Sequence, residues 1–208
     1  MPRQQARMEF EHAKEHAEQW ILRNSLSDTL ALVMPVLEDA RTICALCDFK
    51  KENSQDAEKL KEISTNDRAK FLQLPLPEKF ELLNKKYDIE CDVEAHITAL
   101  MSVTKALMTK EGVLTEEEAD DSGQCTLKIR SVQISQAPGG SSDMAQSLNL
   151  TRKIGDSERI IKVGDEIHFS KAEHMGSILT VGIFITEILK GIQKYAHKTG
   201  VAEDAPAK

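Results

Sequence analysis

The spacing of apolar residues changes twice along this chain, and that change limits the available folds more than any single motif. Up to about residue 114 the apolar positions recur at three and four residues, as on one face of a helix. Between Thr126 and Ile134 they alternate, as in a strand, and from Ser170 the helical spacing returns. The clearest helical stretch is Asp92 to Leu114, with Val93, Ile97, Leu100, Met101, Leu107 and Met108 on one side and Gly112 to stop it. The expected fold class is α+β, mainly α: a helical bundle with a small antiparallel β-sheet inserted before the C-terminal helix. A single domain over 1-208 is expected, in which 7-114 is the helical part and 115-169 the β-rich insertion. Residues 170-200 then form the C-terminal core helix and 201-208 a tail.

Composition agrees with helices. A chain of 208 residues at 40% hydrophobic content can bury one substantial core. Aromatics are only 4%, so Leu, Ile, Val, Met and Ala must fill that core, a palette that suits packed helices better than a large sandwich. The net charge of -7 and the pI near 5.5 argue against a generally basic nucleic-acid surface.

Local signals place the elements. From Arg7 to Phe49 the apolar series Phe10, Ala13, Ala17, Trp20, Ile21, then Leu30, Val33, Leu37, Ala40, Cys44, predicts two consecutive helices or one bent one. The junction is expected near Arg23-Asn24-Ser25, where Ser27 or Asp28 can cap a new helix. Pro35 lacks an amide proton and belongs in a first turn or at a kink. Lys50 to Arg68 is polar and reads as a solvated helix or a mobile excursion, the least ordered internal segment. Pro77 suits a helix start, with Phe80, Leu83 and Tyr87 as its apolar face, and Asp92 can cap the helix that follows.

The acidic run through Glu116, Glu117, Glu118, Asp120 and Asp121 reads as a solvated loop. Leu127 and Ile129 fall out of step with Val132 and Ile134, which predicts a strand with a bulge. Ala137 to Asp143 is loop chemistry, without the spacing of a phosphate-binding loop. Two further short strands are expected, around Leu148 to Ile154 and Arg159 to Val163, with a turn at Gly164-Asp165. Ser170 and Glu173 form a capping box. From Met175 to Tyr195 the apolar residues cover more than one face, as in a core helix or one that also lines a two-fold interface, and Gly200 ends it.

The candidate chemistry is sparse. Cys44 and Cys47 have the spacing of half a zinc site, but they sit in an apolar helical run and Cys91 and Cys125 form no second pair, so structural thiols are expected. No N-terminal hydrophobic signal region is present, and the longest apolar stretch, Ile178 to Ile185, is too short to span a bilayer. A cytoplasmic setting without membrane contact is the expectation. His12-Ala-Lys-Glu15-His16 matches the H-x-x-E-H pattern, in which two His one turn apart hold zinc and the Glu activates water. A third ligand cannot be assigned, Glu94 being one arbitrary choice, so a solvent-facing helix surface is expected there. His168, His174 and His197 have no motif spacing and read as surface or structural histidines. No nucleophile elbow accompanies any Ser, and no catalytic, cofactor-binding or metal residue is assigned.

The order of Trp20 to Phe49, then Leu74-Pro75-Leu76-Pro77-Glu78-Lys79-Phe80, then Ile97 to Leu114 resembles bacterial helical proteins related to the HEPN superfamily. That resemblance implies a helical bundle, often dimeric, and in many members a metal-independent ribonuclease with an Arg-x4-6-His motif near a late helix. Here the corresponding positions are Thr104 and Thr109, which lack the pKa and charge for that chemistry. The resemblance therefore implies a non-catalytic member. The expected function is a helical interaction or oligomerisation protein, a homodimer or the binder of another protein. One alternative is a HEPN-like ribonuclease or RNA-binding protein with a displaced site, for which Lys105, Lys110, Lys128 and Arg130 would have to form a basic groove. A second is a metal-dependent hydrolase using His12, Glu15 and His16, for which these residues would have to line a buried polar pocket.

Overall fold

The computed structural model describes residues 2-52, 56-109, 112-136 and 150-202. The expected loop at Ala137 to Asp143 lies outside them. The elements are α1 (Pro2–Leu30), α2 (Val33–Lys51), α3 (Ala57–Ser64), α4 (Asn66–Gln73), α5 (Leu76–Tyr87), α6 (Glu94–Thr109), β1 (Gln124–Gln136), β2 (Leu150–Lys162) and α7 (Lys171–Lys198). The fold is mainly helical, with one two-stranded antiparallel sheet before the last helix. Contacts group the chain into two compact units, one of Met1–Ser27 with Ala99–Thr180 and one of Asp28–Thr98 with Val181–Lys208. The units thus join segments far apart in sequence.

The first unit is built on the β1-β2 ribbon. Its register runs without offset from Gln124 opposite Lys162 to Gln136 opposite Leu150, so the expected bulge is absent and the two expected short strands are one. With the register unbroken, side chains alternate strictly. Leu127 and Ile129 are buried on one face, whereas Val132 and its partner Ile154 stand exposed on the other. Gly155 does not interrupt the strand: an added Cβ there would stand 2.6 Å from Nε2 of Gln133. The opposite face carries the cross-strand ion pairs Lys128 with Glu158 at 3.2 Å and Arg130 with Asp156 at 3.0 Å.

Helix α7 closes over the edge of β1. The Thr180 hydroxyl accepts from the backbone N–H of Arg130 at 2.8 Å, giving a partner to a donor that β2 does not take. At Gly176 an added Cβ would lie 2.8 Å from Ile129 Cδ1 and 2.9 Å from the Arg130 carbonyl oxygen. The capping box forms as its spacing predicts: Ser170 N–H donates to Glu173 at 2.8 Å and Glu173 N–H to the Ser170 hydroxyl at 3.2 Å. Gln19 of α1 holds the preceding residue at both ends, donating to the Phe169 carbonyl at 3.0 Å and accepting from its N–H at 3.2 Å.

In the second unit α2 packs against α3, α4 and α5. Helix α1 passes unbroken through Arg23-Asn24-Ser25 and ends at Leu30, so the junction is later than the sequence reading places it. Asn24 caps nothing there; its amide donates to the Trp20 carbonyl at 2.7 Å. Pro35 falls in the first turn of α2, where its missing N–H costs no helical bond. The polar segment from Lys50 resolves into α3 and the start of α4, with Asp56 capping α3 through the N–H groups of Glu58 and Lys59. Asp92 precedes α6 and donates its N–H to Glu187 at 3.0 Å. The later part of α6 belongs to the first unit, where Val103 and Ala106 are buried and Met108 is exposed, which shifts the buried face from the one expected.

The core of this unit settles the role of α7. Phe184 is 0% exposed and meets Phe80 edge to face, with ring centroids 6.0 Å apart. Tyr195 meets Tyr87 at 5.2 Å and its hydroxyl donates to Asp48. The central stretch of α7 is therefore intramolecular core. By length and composition α7 alone, among the described residues, is long and apolar enough to cross a bilayer. The uninterrupted run Ile178 to Ile185 understates it, because mean hydropathy over a whole helix sets that property.

Two predictions follow from these contacts. Phe184→Asp places a carboxylate among buried aromatic and aliphatic groups, costing at least several kcal/mol; circular dichroism should show loss of cooperative helical unfolding, and a folded protein of normal melting temperature would contradict the core assignment. Gly182 has nothing within 4 Å of an added Cβ, so Gly182→Ala should stabilise by about 1 kcal/mol. Gly176→Ala should instead destabilise by about 1–3 kcal/mol, since the opposing Arg130 carbonyl is backbone. Denaturant midpoints of the pair check both signs.

Candidate functional site

Helix α1 offers two contrasting sides. Leu22 and Leu26 are buried, while Phe10, Trp20 and Ile21 are 66%, 62% and 58% exposed on the opposite side. Between these sides runs a polar stripe, His12, Glu15, His16, Gln19 and Arg23, whose members follow at one helical turn. The stripe and Trp20 line a cleft of about 380 Å³, with Glu166 and His168 across from them. The structure thus brings His12, Glu15 and His16 to one cleft and adds partners that no motif spacing foretold. The repeat of polar residues at 12, 16, 19 and 23 is the signal that could have found Gln19 and Arg23; Glu166 and His168 come from a distant segment.

Most groups in this cleft have structural employment. His168 Nε2 lies 3.3 Å from Glu166 Oε1. Gln19 is committed to the Phe169 backbone. Arg23 packs over Gly112, where φ is 86° and an added Cβ would stand 2.9 Å from Nη2; its Nε is buried without a hydrogen-bond partner. His12, Glu15 and His16 are exposed rather than enclosed. Zinc chemistry needs ligand atoms converging to about 2.0–2.1 Å from one point, and among the described residues no group of three or more His, Cys, Asp or Glu is placed to hold a metal ion. Glu94, the arbitrary third ligand, belongs to the other unit. His174 shares a 3.2 Å hydrogen bond with Ser25.

Three of the four cations that would make a basic groove are occupied. Lys105 pairs with Glu118 at 3.3 Å, and Lys128 and Arg130 pair across the ribbon; Lys110 lies outside the described residues. Glu118 itself departs from the solvated loop expected of the acidic run. It is buried, and the hydrogen bond from the Thr115 hydroxyl, followed by the nearby Lys105, holds its carboxyl below the usual range. Thr104, at the suspected motif position, is buried with its hydroxyl unpartnered. No family model, curated protein or solved structure matches this chain.

The cysteines are all free thiols; Cys44, Cys47 and Cys125 are buried and Cys91 half-buried. Burial, more than the neighbouring Cys47 and Asp48, pushes Cys44 up to about 12, and burial likewise pushes Cys91 up to about 12. A raised pKa leaves the unreactive thiol in place at pH 8. A disulfide reagent at that pH should therefore modify native protein slowly and all four thiols quickly in urea; rapid modification of Cys44 in the native state would contradict the buried-thiol assignment.

Proposed function

We propose that this protein is a non-catalytic helical oligomerisation protein whose first helix pairs with the same helix of a second copy. The observation that carries this reading is the exposed apolar face of α1. Phe10, Ala17 and Asn24 fall at heptad position a, and Ala13 and Trp20 at d. That face lies opposite the buried Leu22 and Leu26, so α1 has one apolar side for its own unit and a second left in water. The flanking residues suit a copy of the same helix. In a parallel pair the g position faces the partner's following e position, which sets Glu9 opposite Lys14.

Covering Phe10, Trp20 and Ile21 in both copies gains roughly 2–3 kcal/mol per side chain. Association costs about 4–15 kcal/mol, so a dimer of about micromolar Kd is the scale expected. The reading includes an aqueous, cytoplasmic setting in which α7 is a core helix. It treats the HEPN resemblance as that of a degenerate, non-catalytic relative. Neither enzymatic alternative has comparable support, because Lys105, Lys128 and Arg130 are paired and the His12, Glu15, His16 stripe is open to solvent.

Sedimentation over a range of about 1–100 µM tests the proposal. The wild-type chain should pass from monomer to dimer, with a blue shift in the emission of Trp20, its one tryptophan. The double variant Phe10→Glu/Trp20→Glu changes exposed positions, so it should keep its helical signal and stay monomeric. A wild type that is monomeric throughout, or a double variant that dimerises as the wild type does, would overturn it.

A further inference from the structure

The unit of Asp28–Thr98 with Val181–Lys208 holds a cleft of its own, of about 320 Å³. Phe71 and Leu74 at the end of α4 and Leu82 and Tyr87 on α5 make its walls apolar. Arg41 of α2 also lines it. Arg41 is only 4% exposed, yet no ion pair to a carboxylate forms among the described residues, and its Nε has no hydrogen-bond partner. Its Nη2 donates to the Ile63 carbonyl at 2.9 Å and to the Thr42 hydroxyl at 3.3 Å, neutral acceptors that leave the charge uncompensated.

A buried cation without a counterion is costly, and such a group ordinarily meets an anion. The other charges at the cleft do not supply one. Asp67 is 3.7 Å from Lys70 on the same helix, and Lys86 is a further cation at the rim, 5.1 Å from the centre of the Tyr87 ring. Lys79 shows how this unit treats a second buried cation. It is 1% exposed, donates to the Leu72 and Leu74 carbonyls at the end of α4, and sits 5.5 Å from the Phe71 ring centre, outside the cleft.

We infer that this cleft binds a small amphipathic monocarboxylate, with its carboxylate on Arg41 and its apolar body against Phe71, Leu74 and Leu82. Three features fix that class. A guanidinium matches a carboxylate in planar, paired hydrogen bonds. One desolvated positive charge calls for one negative charge, which favours a carboxylate over a dianionic phosphate monoester. The volume holds roughly ten water-sized groups at about 30 Å³ each, the size of a medium-chain acid.

Titration calorimetry of the full chain with octanoate, octanamide and octyl phosphate tests this. Octanoate should bind one per chain, and octanamide, of the same length but uncharged, at least tenfold more weakly. Leu82→Trp, which fills the apolar side, should weaken octanoate at least tenfold with an unchanged circular dichroism spectrum. Arg41→Met should abolish octanoate binding while keeping the fold, and if that variant does not fold, the octanamide and Leu82→Trp comparisons still decide. Equal binding of octanoate and octanamide, tighter binding of octyl phosphate, unchanged binding by Leu82→Trp, or no heat at millimolar octanoate would each overturn the assignment.

Discussion

At Gly176 and again at Gly191, α7 comes so close to its neighbours that only a hydrogen fits on its Cα. An added Cβ would stand 2.8 Å from Ile129 Cδ1 at the first position and 2.7 Å from Ile89 Cγ2 at the second. Glycine within a helix costs about 1 kcal/mol relative to alanine, so these positions are explained by the approach they allow. The first contact lies in the unit that holds the ribbon and the second in the unit that holds α2 to α5. In the ribbon unit the approach has a further effect. It puts the Thr180 hydroxyl on the Arg130 N–H, where an open strand edge would otherwise offer that donor to another chain.

The polar groups inside each unit are handled by different means, and the contrast locates the functional interest. Glu118 is buried but has Thr115 and Lys105. Lys79 is buried but fills the carbonyl end of α4, where helical acceptors are otherwise unmet. Arg41 has neutral acceptors alone and lines an apolar cleft. On the surface, the outlier is α1, whose Phe10, Trp20 and Ile21 face water on the side away from its buried leucines. The buried charge is what the proposed carboxylate would meet, and the exposed apolar face with heptad spacing is what the proposed second copy of the helix would cover.

Much of the architecture was legible in the residues. The change from helical to alternating spacing and back located the sheet before α7, Ser170 and Glu173 marked the start of that helix, and Pro77 marked the start of α5. The failures have identifiable causes. Two short strands are expected around Leu148 to Ile154 and Arg159 to Val163, but the pairing with β1 continues through Gly155 to Glu158 and makes them one strand. The step between Ile129 and Val132 predicts a bulge, although the ribbon instead turns its apolar residues to a different face. Arg23-Asn24-Ser25 suggests a junction, yet Asn24 bonds back to Trp20 within an intact helix. The polar stripe of α1 was visible as His12, Glu15 and His16, but Glu166 and His168 enter from a segment that sequence spacing does not connect to it.

The sequence by itself determined which stretches are helix and which strand, because apolar period, caps and prolines act within a few residues and need no partner. It also determined that Phe10, Ala13, Ala17 and Trp20 share one face of a helix. Only the tertiary structure decided that this face stays in water while the central stretch of α7 is buried, since both read alike as apolar stripes until packing partners are known. The same holds for Arg41, Lys79 and Glu118. Charged residues usually face solvent, and burial depends on whether residues distant in the chain bring carbonyls, hydroxyls or counter-charges to them, which local spacing does not encode.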